Sequence, residues 1–278
     1  MKMLRAGMVL MWGLIVGLLA GCSKAPREYS RSSPENVLES AVLMVENKEA
    51  TRLSELVYAE NVQMRSLLNQ VGLALGAMEE LSRAVAEKFP EELAAMRAQI
   101  EADGGQSIVE QLTGRGGRAA ADAGERFREL AKRIFADPYG WLSQHRDKLD
   151  VIYVADDSYG VMYDGEVLLQ PWGLLIQQKE DGWYLMLPTN LPGARQILPD
   201  TEDEYMLWGS LFKTLENGVR DMTGDVRGGR TTSMNQLGQS AVEKFAIPAV
   251  MVMYAWGKHR EAMQEAARNQ PVQTQPVP

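Results

Sequence analysis

Apolar residues recur along the chain first at helical spacing, then at strand spacing, then at helical spacing again. Ser33-Pro34-Glu35 supplies an N-cap, a first-turn proline and a favourable first-turn acid. Val37, Leu38, Ala41, Val42 and Val45 follow on one helical face. Asn47-Lys48 interrupts that face, and a second short helix carries Leu53, Leu56 and Val57. Asn61 is placed to cap a longer helix reaching about Phe89. There Met64, Leu68, Val71, Leu75, Met78 and Val85 make a stripe at three- and four-residue steps or their multiples, which calls for a partner helix. Pro90 opens another helix with Leu93, Met96 and Ile100 on one side, broken at Gly104-Gly105. A further helix is expected over about Ala119 to Ala136, with Phe127, Leu130, Ile134 and Phe135 apolar.

The spacing changes at about Leu149. Val151 to Ala155, Tyr159 to Tyr163, Glu166 to Gln178 and Trp183 to Leu187 are strand-like. Asp156-Asp157, Asp164-Gly165 and Glu180-Asp181-Gly182 separate them, which predicts a meander of hairpins. Pro171 cannot donate to a ladder, so the third strand is an edge there or carries a bulge. Helices return at roughly Glu202 to Met222 and Ser233 to Arg268. No internal repeat of solenoid length is present. The fold class is α+β, helix-rich, with one small antiparallel meander of about four strands and helices on both sides of it in sequence. Residues 34–148 form the helical region, 149–188 the sheet and 189–268 the C-terminal helices, together one domain. The Gln/Pro-rich residues 269–278 read as a disordered tail.

The first residues follow a different logic. Lys2 and Arg5 precede an uncharged apolar run from Ala6 to Leu18, which closes on Leu19-Ala20-Gly21-Cys22. A positive end, a short apolar stretch and a small-residue cleavage point are the parts of an export signal. The closing tetrapeptide resembles the bacterial lipobox at all of its positions. That resemblance implies removal of residues 1–21 as a signal peptide, a diacylglycerol on the thiol of Cys22 and acylation of the new amino terminus, palmitate being the kind of chain added. Cys22 is thus the expected lipid-attachment residue, and the address is the bacterial cell envelope. Because Ser23, not aspartate, follows the cysteine, the resemblance favours the periplasmic face of the outer membrane where there are two membranes. The competing reading is an uncleaved membrane helix, but Ala6 to Ser23 sits at the lower edge of a bilayer span and holds glycines at 7, 13, 17 and 21. Two acyl chains suffice for stable anchoring, so three hold firmly. Residues 22–33 read as a lipidated tether reaching roughly 35–40 Å when extended.

Two further pieces resemble NTF2-like lipoprotein domains. Ser33-Pro34-Glu35 followed by two short helices looks like their opening. Lys179-Glu180-Asp181-Gly182-Trp183-Tyr184-Leu185 looks like their last hairpin, where an acidic turn enters a tryptophan-bearing strand. The resemblance implies a sheet curled against helices around a conical cavity, and it carries no catalytic residue. A long helical stretch between the two pieces, and two helices after the sheet, depart from that pattern.

Charge and cysteine count narrow the chemistry. The 278 residues hold 29 Lys and Arg against 37 Asp and Glu, a net charge of −8, and losing Lys2 and Arg5 with the signal makes the remainder more acidic. That balance argues against nucleic acid as a partner. Cys22 is the one cysteine, so disulfides, a thiol nucleophile and cysteine-based metal sites are excluded from the folded part.

Gly224-Asp225-Val226-Arg227-Gly228-Gly229-Arg230-Thr231 has the spacing of a phosphate-binding loop with arginine in place of lysine. A helix precedes it, where such a loop needs a buried strand, so it reads as a glycine linker. Arg115-Gly116-Gly117-Arg118 reads the same way. His145 and His259 are read as surface residues, and no Gly-x-Ser-x-Gly elbow accompanies them. Asp150, Asp156, Asp157 and Asp164 surround the sheet, three of them in turns where aspartate has structural use. The segment Phe245 to Trp256, with Met251-Val252-Met253, reads as a buried helix, bent at Pro248, with methionine filling the core. Gly72-Leu-Ala-Leu-Gly76 lets two helices approach closely. Trp141, Trp172, Trp183, Trp208 and Trp256 are read as core residues.

No catalytic residue, cofactor or metal site is therefore expected. The expected function is that of a membrane-anchored envelope lipoprotein working as a non-enzymatic binding or assembly module. Its partners would be the membrane, through the lipid, and an envelope protein or small apolar ligand. The alternatives are a carboxylate-dependent hydrolase acting on envelope polymer and a structural helical spacer. A deep pocket with convergent carboxylates would favour the first, a deep apolar pocket ligand binding, and an exposed apolar stripe assembly.

Overall fold

Helix ends in this chain are set by side chains that satisfy free backbone amides. The computed structural model describes residues 28–102, 138–168, 173–187 and 198–268. Helix α1 (Pro34–Glu46) starts at Ser33, whose extended backbone brings its hydroxyl to 3.2 Å from the Asn36 amide. After a left-handed turn at Lys48 (φ 62°) the expected second helix forms as a 3₁₀ segment, Ala50–Leu56. Helix α2 (Val62–Lys88) is capped by Asn61, which accepts from the Met64 amide at 2.7 Å. Helix α3 (Pro90–Ala102) follows at once, and the short α4 (Gly140–Gln144) leads to the sheet. After it, α5 (Glu202–Arg227) begins in a capping box in which Thr201 and Glu204 satisfy each other's backbone. Helix α6 (Met234–Arg268) begins at Ser233, whose hydroxyl accepts from Gln236. The helix expected over 119–136 lies outside the described residues, as do residues 1–27 and 269–278.

The antiparallel sheet comprises β1 (Leu149–Ala155), β2 (Ser158–Tyr163), β3 (Glu166–Val167), β4 (Leu175–Lys179) and β5 (Gly182–Met186). Its order is β1-β2-β4-β5, with β3 also paired to β2. The single third strand expected from the sequence is thus two strands along one edge of β2. The chain leaves the ladder at Leu168, which donates to Val161 O, and rejoins at Leu174, which accepts from Val161 N. Pro171, expected at an edge or bulge, lies outside the described residues. The turns use the expected aspartates: Asp157 and Asp164 take φ of 57° and 52°, which aspartate tolerates better than most residues.

Two apolar clusters hold the elements. In one, Val37, Ala41 and Met44 of α1 and Leu56 meet Val161 and Ile176 of the sheet. In the other, Ala77, Leu81, Ala84 and Val85 of α2 meet Leu93 of α3, Met222 and Val226 of α5, and Leu237, Ala241 and Phe245 of α6. A fully buried aliphatic side chain contributes about 1.5–3 kcal/mol, so each cluster is a substantial source of stability.

Helix α2 joins the two clusters. Gly72 and Gly76 leave room for the 3₁₀ segment, since a Cβ on Gly72 would collide with Thr51 O and Ser54 Oγ, and one on Gly76 with Thr51 Oγ1. The close-approach role expected of this pair is what the packing shows. Helix α2 therefore buries residues toward two neighbours, including Gly72, Ala74 and Leu81, where the sequence suggested one stripe.

The segment expected as tether is fixed from Tyr29 onward. Arg31 O accepts from Trp183 N at 2.8 Å on the free edge of β5, and Ser40 Oγ donates to Ser30 O at 2.7 Å. The Arg31 guanidinium stacks 4.1 Å from the Tyr184 ring centroid. From Cys22 to Tyr29 there are seven residue steps, which at roughly 3.3–3.6 Å each would span at most about 25 Å.

Candidate functional site

Helix α6 presents two apolar faces. At 3.6 residues per turn, Ala241, Phe245, Val252 and Trp256 fall on one side and Ile247, Val250, Met251 and Tyr254 on the other. The first side packs on α5. Phe245 lies against Gly218, where a Cβ would strike its ring, and Trp256 meets Trp208 edge-on at 6.2 Å. Arg260, one turn on, donates to Glu204 at 2.9 Å and to Leu198 O at 3.1 Å. The second side is bare: Ile247, Val250, Met251 and Tyr254 are 66–68% exposed.

The expectation that Phe245 to Trp256 is buried with methionine in the core is therefore corrected. Phe245 is buried against α5 and Val252 and Trp256 on the same face are half-buried, while Met251 and Met253 are open to solvent. The physical reason is that a helix apolar all round needs neighbours on every side, and among the described elements α5 covers only one. A helical wheel drawn for both faces, instead of a count of apolar residues, would have shown the second stripe.

A second exposed apolar group lies on β1, the edge strand, where Ile152, Tyr153 and Val154 are open. It is shorter than the α6 stripe. Tyr153 is tied to its own hairpin, donating to Asp156 at 2.8 Å and meeting Tyr159 edge-on.

The cavities have another character. One of about 540 Å³ lies where the N-terminal segment joins the fold, lined by Tyr29, Arg31, Arg52 and Arg65 together with Glu28 and Glu55. Its arginines are engaged by protein: Arg52 pairs with Glu49 and Glu55, Arg31 with Asp181, and Arg65 donates to Val57 O at 3.5 Å. Asp181 is held below the usual carboxylate range, chiefly because the Tyr184 hydroxyl donates to it. The cavity is polar, unlike the deep apolar pocket of a lipid or drug-sized ligand site. A smaller cavity of about 190 Å³ carries Glu35, Glu39 and Asp150, with Arg146 already paired to Glu39. That volume is below the roughly 300 Å³ at which small-molecule sites begin.

Carboxylates out of full contact with solvent are committed elsewhere. Glu216 on α5 accepts from Gln70 at 2.8 Å, Lys213 at 2.8 Å and Arg220 at 2.9 Å. Burial works against its charge, but these three donors win and hold its pKa down to about 2. Glu79 on α2 accepts from the Ala50 amide at 3.0 Å, and burial pushes its pKa up, beyond what that hydrogen bond and Arg83 offset. Burial likewise raises Tyr139, which donates to Leu75 O at 2.6 Å. None of these three groups lines the cavities above, so they read as structural.

Other sequence candidates fall as follows. Cys22 and Arg115–Arg118 lie outside the described residues. Gly224 to Arg227 is the last turn of α5, so this helix runs past Met222, where it was expected to end. Gly228 and Gly229 then turn the chain, and Arg230 folds back onto Asp225 at 2.7 Å, as expected of a linker and not of a phosphate loop. His145 and His259 are both half-buried instead of lying on the surface: His145 meets the Tyr163 ring edge-on, and His259 sits on α6 with Nε2 out of solvent. Trp183 packs beside the sheet cluster and Trp208 beside Trp256. Among the described residues no group of His, Cys, Asp and Glu is arranged to hold a metal, and no helix is long and apolar enough to cross a membrane.

Comparison of the chain with protein-family models, curated proteins and solved structures gives no match.

Proposed function

We propose that this chain is a bacterial envelope lipoprotein, tethered through lipid on Cys22, whose folded part is a non-enzymatic assembly module docking through the free face of α6. The observation that carries the assembly reading is the stripe Ile247, Val250, Met251 and Tyr254, four large apolar side chains left in solvent on one helix face. Exposing a contiguous apolar patch is unfavourable for a monomer and marks a contact surface. The cavities support this choice over the alternatives. The cavity beside Arg31 is polar with engaged arginines, and those of about 190 Å³ beside Glu39 and about 240 Å³ between Gln70 and Tyr205 are below the roughly 300 Å³ at which small-molecule sites begin. The address rests on Leu19-Ala20-Gly21-Cys22 and the charged, apolar and small-residue order before it. Because Tyr29 to Arg31 are docked on the fold, the lipid would hold the domain within about 25 Å of a membrane surface.

Each half has its own test. Cells given labelled fatty acid should label the wild-type chain and leave Cys22→Ala unlabelled; label surviving that change removes the anchor. For assembly, a photo-reactive residue placed at Met251 in living cells should give an intermolecular protein adduct, whereas one at Val252, facing α5, should not. No adduct at Met251 would remove the assembly reading while leaving the anchor in place.

A further inference from the structure

The bare face of α6 is complementary to its own reverse. Its apolar residues are Ile247, Val250, Met251 and Tyr254, bounded by Glu243 one turn before and Lys258 one turn after, both exposed. Laid antiparallel on a copy of itself about a two-fold axis between Val250 and Met251, the helix sets Val250 opposite Met251, Ile247 opposite Tyr254 and Glu243 opposite Lys258. At 3.6 residues per turn all six positions fall within an arc of about 100°, so they share one face.

We infer that the occupant of this face is a second copy of the chain, docked α6 against α6 in antiparallel register. This rests on the assembly reading above and names its partner. A two-fold interface must be self-complementary, each residue meeting the partner of its own mate, and the stripe meets that demand in size, polarity and charge. Its apolar centre carries two kinds of large-to-large contact, each made twice, and the charges at its ends are opposite in sign where they meet. In the lone chain these charges have local company: Lys258 pairs with Glu261 at 2.7 Å, and Gln239 donates to Glu243 at 3.1 Å. Both are exposed contacts of the kind that exchange at little cost. An anionic lipid surface fits less well, because Glu243, Glu261 and Glu265 stand exposed along the same helix.

The test uses the full chain extracted in mild detergent, its stoichiometry followed by sedimentation over a range of concentrations. The wild type should be a dimer, and Met251→Asp a monomer with an unchanged circular dichroism spectrum and melting temperature. Glu243→Lys and Lys258→Glu each place like charges together at both ends of the interface and should weaken dimerisation about tenfold. The double variant E243K/K258E restores opposite charges and should return to near wild-type affinity. A wild type that stays monomeric, or a double variant no tighter than either single one, overturns the pairing. If the Met251 photo-adduct contains a different protein while the extracted chain is monomeric, self-pairing falls and assembly stands. If there is neither dimer nor adduct, both fall.

Discussion

Arg260 of α6 donates through Nη2 to Oε2 of Glu204 in the first turn of α5, at 2.9 Å and across 56 residues of sequence. Glu204 is 1% exposed, and it also accepts from the Asp200 amide and completes the capping box of its own helix. One carboxylate thus starts α5 and pins the far half of α6 beside it, which fixes the direction in which the bare face points. Arg260→Ala should cost about 3 kcal/mol, because it leaves a buried carboxylate without its cation. A double change, Glu204→Gln with Arg260→Met, should recover part of that loss. Urea unfolding of both variants measures it, and a loss of under about 0.5 kcal/mol in the single variant, the range of ordinary surface changes, would show that the pair does not hold α6.

Gly72 and Gly76 give a prediction of sign. Alanine is ordinarily better than glycine inside a helix by about 0.5–1 kcal/mol. At Gly209 of α5, where a Cβ meets nothing within 4 Å, alanine should stabilise the protein by that amount. At Gly72 the added Cβ runs into the Thr51 carbonyl, which cannot rotate away, so Gly72→Ala should destabilise by about 1–3 kcal/mol. Denaturant midpoints of the two variants should move in opposite directions.

Two glutamates, one buried and one half-buried, should titrate with opposite effects. The carboxyl of Glu216 lies at about 2 in the folded protein against an ordinary 4.5, so its contribution is complete above pH 4.5 and disappears as pH falls from there toward 2. It amounts to at most about 3 kcal/mol, at 1.36 kcal/mol per pKa unit. Glu79 is raised by burial, so its protonated form is the one folding prefers, and stability falls as pH rises through its folded pKa. Glu216→Gln should flatten the acid limb of a stability–pH curve. Glu79→Gln should remove the decline on the other side of its titration and leave the acid limb intact.

Caps and periodicity carried most of the architecture. Ser33, Asn61 and Ser233 mark helix starts because their hydroxyl or amide oxygens satisfy amides that have no other partner, and a local sequence suffices to see that. The turn aspartates Asp157 and Asp164 were visible for the same reason. The break between β3 and β4 was only half visible: Pro171 announced trouble, but the return of Leu174 to the same residue, Val161, that Leu168 leaves depends on β2 and not on the strand's own residues. Glu204–Arg260 and Gln70–Glu216 join residues 56 and 146 apart, and spacing along one helix holds no record of such pairs. The bare stripe on α6 was concealed by its own composition, since apolar residues on both faces read as burial. What decides between core and contact surface is the number of neighbours, a property of the fold.

The central claim, that the free face of α6 is covered in the assembled protein, is tested most directly by hydroxyl-radical footprinting of methionine in intact membranes. Met251 and Met206 are 66% and 59% exposed in the single chain, one on the bare stripe and one on α5. In membranes Met251 should be protected while Met206 stays reactive, and dilution into detergent, or Tyr254→Asp, should return Met251 to the reactivity of Met206. Equal oxidation of the two methionines in untreated membranes would contradict the account.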